Sequence, residues 1–86
     1  MTVTYKGRQY GHQQLWALVA AMNKDWMNMY LEMPAGEEPS VFIWIDDETD
    51  GVERNKSFWS GFGDPGDRTP FRALARAVEA MQKEGE

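Results

Sequence analysis

The run Asp46-Asp47-Glu48-Thr49-Asp50-Gly51 sets carboxylates at alternate positions ahead of a glycine, the donor spacing with which a calcium loop begins. Completing that site takes a bidentate carboxylate at the twelfth position, and the twelfth position is Ser57. The flanking residues alternate as strands do, whereas a calcium loop is flanked by helices. A hairpin uses everything that is present, two β-prone runs with an Asp-Gly turn between them. These acids also make a poor acid–base pair. Such chemistry needs one carboxyl desolvated so that its pKa rises, and turn positions are solvated.

The other chemistry-bearing residues are sparse. His12 is the single histidine, there is no cysteine, and Ser40, Ser57 and Ser60 stand in no nucleophile context. His12 reads as a residue at a helix start. The stretch Gly61-Phe62-Gly63-Asp64-Pro65-Gly66 has the glycines of a phosphate cradle without its Lys and Ser/Thr, and Asp64 and Asp67 would repel the anion. A fairer anion site is the helix start at Thr69-Pro70, with Arg68 and Arg72 beside it. Phe58, Trp59 and Phe62 could stack on bases, but a negative field favours a role in a core or an interface. The residues call for no enzyme activity, metal or cofactor.

Charge narrows the partner. The 86 residues carry a net charge of −5, and eight acids but no Lys or Arg lie between Glu32 and Glu53. Such a chain disfavours phosphate, hence direct binding to nucleic acid, and suits a protein that itself has a basic groove. No apolar run approaches membrane length and the first residues show no leader pattern, so the expected location is the cytoplasm, away from membranes. With 42% hydrophobic residues, four Trp, three Tyr and four Phe, the chain can bury one modest core. One domain over residues 1–86 is expected.

The elements that must position these residues follow from periodicity. Residues 2–10 are β-prone around Lys6-Gly7, giving one short strand or a tight hairpin. Leu15, Leu18, Val19, Met22 and Trp26 recur on one face of a helix over 11–24. Residues 26–33 alternate with period two, 34–39 form a connector with two prolines, and 41–46 alternate again. Pairing Leu31 with Ile43 and Met29 with Ile45 makes an aliphatic face, with Tyr30 opposite Trp44 on the reverse. A third strand is read over 52–59 and a loop over 60–67. Thr69 then caps a helix with Pro70 at its first position, and Phe71, Leu74, Val78 and Met81 form its stripe, flanked by Ala73, Ala77 and Ala80. Arg72 and Arg76 make a like-charge i,i+4 pair on it.

The fold class is therefore α+β, a three- to four-stranded antiparallel sheet with two helices in the order β-α-β-β-β-α. Both sheet faces are apolar. Either one helix covers each face, which is the arrangement expected, or both cover one and leave Tyr30, Phe42 and Trp44 as an open patch.

Leu15-Trp16-Ala17-Leu18-Val19-Ala20-Ala21-Met22 before a strand hairpin, with Thr69-Pro70-Phe71-Arg72-Ala73-Leu74-Ala75-Arg76-Ala77 after it, resembles the small phage "ABA sandwich" proteins. The resemblance spans roughly residues 12–82 and departs at the N-terminal strand and the Gly-Asp-rich loop. It implies helices on both faces of the sheet and a phage or prophage accessory protein, and it carries no catalytic residues. In size and acidity the chain is also similar to anti-CRISPR and other anti-defence inhibitors. The function expected is inhibition of a host protein whose basic nucleic-acid groove is occupied by Glu37, Glu38, Asp46, Asp47, Glu48 and Asp50. Trp44 or Trp59 would anchor the contact, and the chain would be a monomer or a homodimer. The alternatives are a nucleotide or small-ligand module using Arg68 and Arg72, or a self-associating structural domain.

Overall fold

The computed structural model describes residues 1–49 and 52–84, with side chains for all of these except 47–49 and 52–56. The α+β class is as expected, but the N-terminal segment is a hairpin of its own. Strands β1 (Thr2–Tyr5) and β2 (Arg8–Gly11) pair antiparallel with Tyr5 opposite Arg8, so Lys6-Gly7 is a two-residue turn. Both turn residues have positive φ, 48° and 79°, the pattern of a type I′ turn whose twist matches the strands it joins. The pair forms a separate two-stranded sheet, not a fourth strand of the main one. Val3, Tyr5 and Tyr10 are its buried face.

A short 3-10 turn, His12–Gln14, leads into α1 (Leu15–Lys24), where Leu15, Leu18 and Met22 are buried at helical spacing. The helix ends before Trp26. The Trp26 N–H donates to the Asn23 carbonyl and the Met27 N–H to the Met22 carbonyl, the paired bonds of a Schellman motif. Trp26 holds the left-handed position of that motif at φ 65° and is 85% exposed, so it leaves the helix stripe to which its spacing assigned it.

Strands β3 (Asn28–Glu32), β4 (Ser40–Thr49) and β5 (Val52–Phe62) form an antiparallel sheet in the order β3-β4-β5. Met29 faces Ile43, Leu31 faces Val41 and Tyr30 faces Phe42, two residues away from the expected register. The expected pairing would have drawn Pro34, which has no N–H, into the ladder opposite Ser40. In the observed one β3 stops short of it, and the Pro34 carbonyl accepts from the Glu37 N–H in a turn that sets Gly36 at φ 77°. A shift of two keeps every side chain on its face. The third strand also runs past Trp59 to Phe62, through residues expected in a loop, and the Gly63 N–H then bonds the Pro39 carbonyl.

Helix α2 (Phe71–Glu84) lies on the aliphatic face and buries Phe71, Ala73, Leu74, Ala75, Ala77 and Val78, while Ala80 is exposed. The first helical bond joins the Leu74 N–H to the Pro70 carbonyl, and the Thr69 hydroxyl accepts from the Phe71 N–H, so the helix begins at Phe71 behind a Thr-Pro start, as its spacing predicts. Arg72 and Arg76 do not simply repel. Asp64 lies between them, 2.6 Å from one guanidinium and 3.4 Å from the other.

Leu15, Leu18 and Met22 of α1 belong to the same buried cluster as Val41, Ile43, Leu74 and Val78. Both helices and the β1–β2 hairpin thus share one side of the sheet. The expected arrangement, one helix on each face, does not form. The reverse rows carry Asn28, Glu32, Ser60 and the cross-strand pair Asp46–Lys56 among their aromatics, and a covering helix would have to bury these polar and charged groups. Among the described residues, no helix is long and apolar enough to cross a membrane.

Candidate binding surface

The uncovered face is a grid set by strand register. One row across β3, β4 and β5 is Glu32–Ser40–Phe62, the next Tyr30–Phe42–Ser60, and the third Asn28–Trp44–Phe58. Tyr30 is 55% exposed, Phe58 55% and Phe62 53%, while Phe42 and Trp44 are half-buried among them. Ring centroids of Tyr30 and Phe42 lie 6.3 Å apart, and those of Phe42 and Phe58 5.5 Å apart at 27°, so three strands contribute to one continuous aromatic strip. Exposed carboxylates stand at both ends of the same face, Glu32 on β3 and Asp46 on β4.

The residues singled out from the sequence divide across the molecule. Trp44 is at the centre of the aromatic face. Trp59 is on the opposite face, half-buried under α2, with its indole N–H donating to the Glu84 carboxylate. Glu37 and Glu38 are exposed in the β3–β4 loop. They are separated from Asp46 by β4, roughly 25 Å of extended chain at about 3.3 Å per residue. Asp47 and Glu48 continue β4 through a register shift, with their side chains outside the described residues, and Asp50 lies wholly outside them. Tyr30 and Phe42 were readable as a patch from alternation alone. Phe58 joins it through its cross-strand place opposite Trp44, and Phe62 joins because β5 continues past Trp59, a continuation hidden by the two glycines around Phe62.

Arg68 and Arg72 do border a cleft, of about 180 Å³, together with Met1, His12, Asp67, Thr69 and Phe71. The His12 Nε2 lies 2.9 Å from the Thr69 hydroxyl, and its ring sits 5.6 Å from that of Phe71. An anion there would meet the Asp67 carboxylate, and the Arg72 guanidinium is already engaged by Asp64. Hydrogen bonds from Arg72 and Arg76 hold the Asp64 carboxyl below its ordinary pKa, as the Tyr5 hydroxyl and then Lys6 do for Asp25. Both acids are thereby fixed as anions, unsuited to giving up a proton near neutrality. Among the described residues, no group of three or more His, Asp or Glu is placed to hold a metal ion.

Comparison with protein-family models, with curated proteins and with solved structures found no significant match to this chain.

Proposed function

We propose that this chain is a non-catalytic inhibitor that docks its open aromatic face on a basic, arginine-bearing surface of a protein partner and keeps nucleic acid from that surface. The observation that carries this reading is the aromatic strip Tyr30–Phe42–Phe58 with Glu32 and Asp46 at its ends. A guanidinium stacks on aromatic rings and pairs with carboxylates, so one face offers both halves of arginine recognition. Exposed contiguous aromatics mark contact surfaces, and hot spots are enriched in Trp, Tyr and Arg. Nucleic acid itself is a poor ligand, because its phosphates would meet the same carboxylates and a net charge of −5. The class of partner proposed is a host defence complex in the cytoplasm of the host cell, chosen for its basic nucleic-acid groove; the short sequence likeness of residues 15–22 and 69–77 to small phage proteins does not extend to the placement of the helices.

The test uses an arginine-rich peptide and a single-stranded oligonucleotide of equal length, each titrated while the tryptophan fluorescence is followed. The peptide is expected to bind saturably, to weaken with added salt, and to lose affinity about tenfold with Phe58→Ser, the loss of a hot-spot aromatic. Tighter binding of the oligonucleotide, or a peptide affinity unaffected by Phe58→Ser, would overturn the reading.

A further inference from the structure

The order β3-β4-β5 gives the sheet two outer edges, and no strand among the described residues pairs with either. They differ in how they are protected. β3 is five residues long, ends on Glu32 and is followed closely by Pro34, the short, charged and proline-bounded design that keeps an edge from pairing. β5 is eleven residues long, and its second half, Ser57-Phe58-Trp59-Ser60-Gly61-Phe62, has no charge and no proline. The irregularity in its ladder with β4 lies at Asp47/Glu48, at the far end. The Phe62 carbonyl also accepts from Arg76 at the C-terminal end of this run, so a strand paired there would share that oxygen with the guanidinium.

This run is complementary to itself. Set antiparallel about a two-fold axis at Ser60, it brings Phe58 opposite Phe62 of a second copy on the aromatic face, and Trp59 opposite Gly61 of that copy on the other. Aromatic cross-strand pairs stabilise a ladder, and this register keeps the two Trp59 rings, each bonded to Glu84 of its own chain, from standing directly opposite one another. An isologous contact of this kind closes on itself, so it stops at two chains.

We propose that a second copy of this chain occupies the outer edge of β5, joining two three-stranded sheets into one of six strands with a continuous aromatic face. This goes beyond the proposed function and does not rest on it. A foreign strand could bond the same backbone groups, but the pattern of the side chains selects the chain's own sequence. The contact is short, a half-strand from each copy, which places it among small, reversible interfaces.

The chain has no cysteine, so Ser60→Cys introduces a single thiol, close to the axis. Directly opposed residues of an antiparallel pair have Cα atoms about 4.5–5.5 Å apart, inside the range a disulfide spans. Under mild oxidant, Ser60→Cys is expected to give a disulfide-linked dimer at least tenfold faster than Glu37→Cys in the distant β3–β4 loop. Equal rates would overturn the proposal. Sedimentation of the unmodified chain provides a second measurement, with mass rising toward two copies as concentration rises and Ser60→Lys, which sets two like charges at the axis, holding it at one. A concentration-independent monomer for the unmodified chain would overturn the proposal whether or not Ser60→Lys folds.

Discussion

Gly61 is where the sheet and α2 come closest. A Cβ at that position would lie 2.2 Å from the Ala73 carbonyl oxygen and 2.5 Å from the Ala77 nitrogen. Both are backbone atoms of a helix that cannot yield locally, so the missing side chain is what lets α2 lie against β5. Gly61→Ala is expected to destabilise the fold by about 2–3 kcal/mol, the cost of overpacking a tight contact. Gly11→Ala, whose added Cβ would meet only the Gln14 side chain at 3.5 Å, should leave stability nearly unchanged. Urea unfolding of the two variants side by side measures the difference. A second residue-scale effect sits at Asp64, whose carboxyl is held below its ordinary 3.8 by hydrogen bonds from Arg72 and Arg76. Because the folded pKa is the lower one, the unfolded chain binds the extra proton as pH falls. The stabilisation is therefore complete above about pH 4–5 and disappears as pH drops through the folded value. Asp64→Asn should be less stable than the parent chain at neutral pH and converge on it in acid. Urea midpoints measured from pH 2 to 7 check both the sign and the window.

The end of α1 shows where an element escapes its own sequence pattern. Trp26 has the spacing of a buried helix residue, yet it occupies the left-handed position of a Schellman motif, where glycine is usual and a side chain costs about 1–2 kcal/mol. Trp26→Gly is expected to raise stability by about 0.5–1 kcal/mol despite removing the largest side chain in the region, since that side chain is almost wholly in solvent. Thermal unfolding measures it, and a loss of stability would mean that the exposed indole is held by contacts outside the motif. Helix α2 and the alternation of β4 were legible because apolar spacing and a Thr-Pro cap act locally. The Trp26 conformation was not, because it depends on the chain turning back toward β3. The β3–β4 register escaped for a related reason. Alternation fixes which face a residue takes but not its partner, and the choice between registers two apart fell to Pro34. The length of β5 was hidden by Gly61, a residue that breaks an isolated strand and is required under a closely packed helix.

At the scale of the molecule, all the helical cover lies on one side, so one sheet face is left to solvent with its aromatics in register. The same parity argument separates two tryptophans that look equivalent in sequence, Trp44 facing outward and Trp59 facing α2. Position also separates the acids. Glu32 and Asp46 share the aromatic face, whereas Glu37 and Glu38 project from a loop at one end. A contact that stacks guanidinium groups on Tyr30, Phe42 and Phe58 draws on the first pair at short range. The second pair contributes only through a field that solvent screens within about 10 Å at 0.1 M salt. Glu32→Gln and Asp46→Asn should therefore each weaken binding of an arginine-rich peptide roughly 1.5- to 5-fold, the range of an exposed ion pair, with most of the loss in dissociation rate. Glu37→Gln with Glu38→Gln should slow association at low salt and become indistinguishable from the parent chain near 0.3 M, where the field no longer reaches. Stopped-flow rates for the four substitutions at three salt concentrations separate the two effects. An Asp46 variant that changes only the association rate would place the bound arginines away from the aromatic face.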